Sequence, residues 1–80
     1  MALTTINDLL PGERGTIEQV DSKAAVIKQR LLEMGLTRGT DVEMIRFAPM
    51  GDPVEISVRG YRLSLRRNEA VSVIILREQR

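Results

Sequence analysis

Apolar and polar residues alternate in two neighbouring stretches of this chain, which predicts a β-hairpin. The apolar positions are Val54, Ile56 and Val58 in the first strand and Tyr61, Leu63 and Leu65 in the second. A two-residue turn at Arg59 and Gly60 pairs these positions without any shift of register, so all of them are expected to face inward. We expect a type II turn, with Gly60 at the position that requires a positive φ angle.

Three further stretches have strand character, at residues 15–20, 41–48 and 71–76. The second of them changes phase, because Val42 and Met44 share one face while Ile45 and Phe47 share the other. A change of this kind indicates a β-bulge or a strong bend, as in small barrels.

One helix is predicted, over residues 23–34, because Ala24, Ile27, Leu31 and Met34 recur at steps of three and four. Gly35 follows at the position where a positive φ angle ends a helix. Shorter helical turns are expected after Thr5 and at residues 66–70. Residues 1–80 therefore form a single domain that is mainly β, and we expect a small five-stranded SH3-like β-barrel with one α-helix between the first and second strands. The alternative is an open α+β sheet with the helix on one face.

The composition excludes several classes of function. The 80 residues contain neither cysteine nor histidine, so disulfides, thiolate chemistry and the usual general base are all missing. A domain of this size also has little room for a substrate cleft, so we expect no enzyme activity and no cofactor. The absence of cysteine and of a signal peptide pattern favours the cytoplasm.

Four arginines lie close together at Arg59, Arg62, Arg66 and Arg67. They could form a patch for an acidic partner, an anionic lipid surface or nucleic acid, or simply a solvated face that Glu55 and Glu69 partly neutralise. Nucleic acid is disfavoured by the net charge of only +1. The two aromatic residues are also expected to face inward, which leaves no stacking platform.

A rigid turn at residues 48–53 contains two prolines, a glycine and Met50. It is either a plug that closes the core or a tip that contacts a partner. The hairpin register is complete without Met50, which favours the tip. A weak metal site could use Asp52, Glu55 or Met50, although carboxylates without histidine bind transition metals poorly, and we expect no metal site.

Five motifs in order resemble the ferrous iron transport protein A (FeoA) family. They are LLPGE at residues 9–13, RLLEMGL at 30–36, RGT at 38–40, APMGDP at 48–53 and RGYRLSLRRNEA at 59–70. The resemblance covers nearly the whole chain. It implies an SH3-like barrel in the bacterial cytosol that serves ferrous iron uptake as an accessory or regulatory protein.

The same resemblance implies a partner, the ferrous iron permease FeoB, which carries a cytosolic GTP-binding domain. We expect the interface to include Arg46, Pro49, Met50 and Asp52, with Leu36 and Arg38 as weaker candidates. Contact with the inner membrane is expected through this partner only, and weak self-association through residues 71–76 is open. A related module in iron-dependent repressors suggests the alternative of weak metal sensing.

Overall fold

A six-stranded antiparallel sheet organises the fold in the computed structural model, which describes residues 2–78. The strands are β1 (Leu3–Thr5), β2 (Arg14–Val20), β3 (Asp41–Phe47), β4 (Val54–Val58), β5 (Tyr61–Leu65) and β6 (Val73–Arg77), and the helices are α1 (Ala25–Glu33) and α2 (Arg67–Ala70). A 3₁₀ turn, Ile6–Asp8, follows β1. The expected mainly β fold, with α1 between the first two predicted strands, is confirmed, and β1 is an additional strand.

The strands are ordered β1-β6-β2-β3-β4-β5 across the sheet. In the described part of the chain β1 and β5 do not pair with each other, so the ladder stays open at its two ends. β6 lies between β1 and β2 and is paired along both edges. In the described part of the chain β6 has no free backbone edge, so the prediction of self-association by strand pairing at residues 71–76 is wrong.

The register of the β4–β5 hairpin is confirmed, with Val54 opposite Leu65 and Ile56 opposite Leu63. Its turn is of type I′ and not type II, because Arg59 (φ 51°) and Gly60 (φ 83°) both have positive φ angles. Type I′ turns match the right-handed twist of paired strands, which explains why this geometry prevails despite the arginine.

A second expectation for the same hairpin, that Tyr61 faces inward, is wrong. Its side chain is 67% exposed, although it shares a sheet face with buried Leu65. Tyr61 pairs with Val58 next to the turn, on the outermost strand of the sheet. Within residues 2–78 no further strand covers this end of the hairpin, so the ring remains in solvent.

The bulge predicted in the second strand is present in β3, where the register with β4 shifts between Met44 and Arg46. It lets Met44 stay fully buried while Arg46 points into solvent. Phe47, one residue further, packs partly against the core.

The alternating positions of the sheet and one face of α1 form a single core. Its buried apolar residues are Ile6, Leu9, Ile17, Val20, Leu31, Leu36, Val42, Met44, Val54, Ile56, Val58, Leu65, Ala70, Val73 and Ile75. Each fully buried valine, leucine, isoleucine or methionine contributes about 1.5–3 kcal/mol relative to an exposed one.

Helix α1 ends in the glycine cap that the sequence predicts. Gly35 has φ 94°, its N–H bonds the Leu32 carbonyl at 3.0 Å, and the Leu36 N–H bonds the Leu31 carbonyl at 3.2 Å. This is a Schellman motif, and its apolar contact places Leu36 in the core. None of the helices found within residues 2–78 has the length and apolar character needed to cross a bilayer.

Candidate functional site

The turn between β3 and β4, residues 48–53, displays an apolar side chain in solvent. We call it the Met50 turn. Met50 is 93% exposed, and Pro49 and Asp52 beside it are exposed as well. Met50 therefore takes no part in closing the core, and the plug interpretation is wrong.

The backbone of the Met50 turn is held by its own hydrogen bonds. The Gly51 N–H bonds the Ala48 carbonyl at 2.7 Å, and the Ala48 N–H bonds the Pro53 carbonyl at 3.0 Å. Gly51 has φ 85°, a left-handed conformation that favours glycine, and the Asp52–Pro53 peptide bond is cis. The tip is consequently a folded turn and not a loose loop.

Arg67, the first residue of α2, fixes this turn to the body of the protein. Its Nε donates to the Gly51 carbonyl at 2.6 Å, and its terminal nitrogen donates to Asn7 Oδ1 at 3.0 Å. The guanidinium also lies over the Phe47 ring, 4.6 Å from its centre. In return, Asp52 Oδ1 accepts the Arg67 backbone N–H at 3.1 Å. The Met50 turn, the 3₁₀ turn and α2 thus meet at one half-buried arginine.

The 3₁₀ turn that supplies Asn7 is stabilised by the neighbouring carboxylate of Asp8. The Thr4 hydroxyl donates to Asp8 Oδ2 at 2.7 Å and the Thr5 hydroxyl donates at 3.1 Å. The pKa of Asp8 is lowered from its ordinary value of 3.8, and the hydrogen bond from Thr4 is the main cause. Partial burial of the carboxylate acts in the opposite direction. The hydrogen bonds from Thr5 and the positive charge of Arg77 lower the pKa further.

The structure divides the predicted interface residues into two groups. Pro49, Met50 and Asp52 lie together in the Met50 turn, and exposed Arg46 precedes the turn at the end of β3. Arg38 instead lies with Arg59 along a cleft at the opposite end of β4. The length of β4 therefore separates Arg38 from the Met50 turn.

Leu36 was predicted as a weaker interface candidate, but the structure buries it. It has 0% exposure and packs in the core, because it is the apolar residue of the Schellman motif. A partner cannot reach it in this conformation. Asp52 also gains an internal role as the acceptor for the first N–H of α2.

The four arginines that are clustered in the sequence also have different locations in the structure. Arg59 donates to the hydroxyls of Thr37 and Thr40 at 3.2 and 3.1 Å, and Arg67 holds the Met50 turn. Arg62 and Arg66 remain exposed on β5 and just after it. Arg62 forms a 3.3 Å ion pair with Glu55, whose direct cross-strand neighbour is Ser64.

Two of the three residues considered for metal binding already have partners, and the third, Met50, is exposed. Asp52 accepts the Arg67 N–H, and Glu55 pairs with Arg62. Within residues 2–78, no group of three or more acidic residues is arranged to hold an ion.

The role of Arg67 and Asn7 was missed by reasoning from the sequence. Sixty residues separate them, and neither belongs to a periodic apolar pattern. The only local signal is that an arginine opens a short helix directly after a strand, which does not indicate its partner.

The family model described as the FeoA domain matches residues 4–77. Among curated proteins, an Fe(2+) transport protein A/Fe(2+) transporter FeoB fusion protein from Porphyromonas gingivalis is 32% identical over 68 residues. That alignment covers 85% of this chain but only 8% of the fusion protein. The relative therefore carries a domain of this kind and FeoB in one polypeptide.

Two solved structures show the same fold. FeoA from Stenotrophomonas maltophilia, in complex with zinc and described as an SH3 domain protein, has a TM-score of 0.81 and 31% identity, and the match covers 90% of this chain and 88% of that one. This similarity confirms the SH3-like fold class. IdeR from T. acidophilum has a TM-score of 0.82 at 22% identity, covering 98% of this chain and 35% of that one, which shows a shared fold alone.

Proposed function

Because this chain belongs to the FeoA domain family, we propose that it is an accessory or regulatory protein of ferrous iron uptake that binds the permease FeoB. The proposed binding partner is the cytosolic GTP-binding part of the permease, which places the chain in the cytoplasm. The fusion of such a domain to FeoB in the Porphyromonas gingivalis relative supports this association. We assign no catalytic step to the chain.

The observation that carries the proposal is the exposure of Met50 on a firmly held turn. An exposed thioether is flexible and polarisable, so it fits an apolar pocket of a partner well. Its turn is already ordered by Arg67 and by internal hydrogen bonds. Binding would therefore cost little backbone entropy, which favours affinity. Pro49 and Arg46 extend the same surface.

The experiment compares the binding of Met50→Ala and of the unchanged chain to full-length FeoB in detergent. We expect at least a tenfold loss of affinity, which corresponds to about 1.4 kcal/mol. Val26→Ala is the matched control, because Val26 is another exposed apolar residue (81%) but lies on α1. Unchanged binding of Met50→Ala, with both variants folded, would remove the turn from the interface.

The alternative function is weak metal sensing, and the zinc complex of the Stenotrophomonas maltophilia relative is the observation that favours it. For this chain the geometry is less favourable, since Asp52 and Glu55 already have partners. Anaerobic calorimetric titration with ferrous iron separates the two functions. Heat of binding that disappears in Asp52→Asn would support sensing, while no heat at millimolar iron would exclude it.

A further inference from the structure

The outer edge of β5 carries unpaired backbone groups. Among residues 2–78, β5 pairs with β4 alone, and the two-residue turn makes Val58 and Tyr61 the first hydrogen-bonded pair of the hairpin. The alternation of an antiparallel ladder then directs the N–H and C=O groups of Arg62 and Ser64 away from β4. In the part of the chain that the structure describes, no backbone partner for these four groups is found on any other element.

The side chains along this edge fall into two chemical rows. Arg62 and Ser64 lie on the outer face, and Arg66 continues that row in extended conformation (ψ 150°). On the other face, Leu63 is half-buried and Tyr61 is 67% exposed. A strand added beside β5 would therefore meet cations on one face and apolar surface on the other.

We propose that the free edge of β5 binds an extended segment of a partner protein as a seventh strand, and that this segment alternates acidic and apolar residues. The residues placed opposite Arg62 and Ser64 share the outer face with Arg62 and Arg66, so carboxylates are favoured there. The residue between them lies beside Leu63 and Tyr61, so an apolar side chain is favoured. Backbone hydrogen bonds supply affinity, and the alternation supplies specificity.

The positive charges beside β5 favour an acidic partner segment over a second copy of this chain. The Arg62 side chain is 68% exposed in spite of its ion pair with Glu55, so it can bind a second carboxylate. A second copy of this chain fits poorly, because antiparallel pairing of two β5 strands centred on Leu63 brings Arg62 and Arg66 of both copies onto one face. In that register Arg62 of one copy is the diagonal neighbour of Arg62 and Arg66 of the other, within reach of these long side chains, so their like charges repel.

Strand addition at β5 is independent of the partner proposed above, and it is tested with a designed probe that contains no segment of the permease. The probe is a short synthetic peptide that alternates glutamate and valine, titrated into the isotopically labelled protein and followed by NMR. We expect the largest shifts and slowed hydrogen exchange at the amides of Arg62 and Ser64. Met50→Ala should bind the peptide as well as the unchanged protein does, which separates this surface from the Met50 turn.

Two controls test the backbone contacts directly. Ser64→Pro removes the outward N–H without removing a bond to β4, and it should weaken binding at least tenfold, whereas Ser64→Ala should not. The same peptide with N-methylated amides should not bind the unchanged protein, which keeps the test valid even if Ser64→Pro fails to fold.

A third control tests the charge preference. A peptide that alternates lysine and valine should bind at least tenfold more weakly than the peptide that alternates glutamate and valine.

Several results would each overturn the proposal. They are the absence of binding at millimolar peptide, equal binding of the N-methylated peptide, and shifts confined to amides outside β5. Dimerisation of the protein through this edge would also overturn it, because the occupant would then be a second copy.

Discussion

The guanidinium of Arg67 lies over the ring of Phe47 at 4.6 Å from its centre. A cation in this position is attracted to the ring by about 0.5–2 kcal/mol. The same guanidinium donates to Gly51 and Asn7, so one side chain connects the end of β3, the Met50 turn and the 3₁₀ turn. The exposed tip is thus held by a residue that lies outside it, in addition to its own backbone hydrogen bonds.

Arg67→Ala should therefore lower the free energy of unfolding by about 2–3 kcal/mol, since charged hydrogen bonds and the ring contact are lost together. Chemical denaturation measures this, and NMR should show faster motion of Met50. Arg66→Ala is the matched control and should change stability by less than about 0.5 kcal/mol, because that side chain is exposed. Equal effects of the two variants would contradict the role of Arg67.

Arg67→Lys separates charge from shape. A lysine retains the positive charge but lacks the planar fork that reaches Gly51 and Asn7 simultaneously. We expect a loss about half as large as that of the alanine variant, on the order of 1 kcal/mol. A lysine variant as stable as the unchanged protein would show that charge alone is sufficient.

Gly15→Ala should destabilise the sheet by about 1–3 kcal/mol through overpacking. A Cβ atom at Gly15 would lie 2.7 Å from Ile75 Cδ1 and 3.0 Å from the Leu76 carbonyl oxygen. Ile75→Val removes the first of these atoms, so the double variant should lose less stability than the sum of the two single losses. Strict additivity in denaturant unfolding would place the strain elsewhere.

Glu69→Ala should lower stability by about 1–3 kcal/mol. Glu69 is 4% exposed, its Oε2 pairs with Arg30 at 2.8 Å, and its Oε1 accepts the Arg66 N–H at 3.0 Å. Faster hydrogen exchange at the Arg66 amide should accompany the loss. Glu69→Gln keeps an acceptor for that amide and should recover part of the stability; no recovery would assign the whole effect to the Arg30 ion pair.

Asp8 should make stability depend on pH in the acid range. Its pKa is lowered in the folded state, so the carboxylate contributes stability that is fully present above its ordinary value of 3.8. This contribution is lost as the pH falls through the lower folded-state pKa. Asp8→Asn should thus be less stable at neutral pH, and the difference should shrink toward the acid end. A constant difference across the titration would exclude this contribution.

The parts of the fold that depend on local pattern were predictable. Strict alternation set the register of Val54, Ile56 and Val58 against β5, and the change of phase after Met44 marked the bulge in β3. Gly35 after an amphipathic run ended α1 as expected. In each case the physical cause lies within a few residues of its effect.

The remaining features depend on contacts between residues that are far apart in the sequence. β1 has only three residues and no apolar alternation, and its partner β6 lies at the other end of the sequence. Tyr61 looked apolar by pattern, but its exposure depends on its place at the end of the sheet. The link between Arg67 and the Met50 turn arises only after folding, so the sequence could favour the exposure of Met50 without establishing it.

The pairing of Leu3 with Leu76 brings the two ends of the described chain side by side. A tether attached at either end would therefore leave the molecule from the same place. The domain could be carried at the front or the back of a longer polypeptide without a change in how it is presented. Joining the two ends by a short linker and opening the chain elsewhere should likewise preserve the fold.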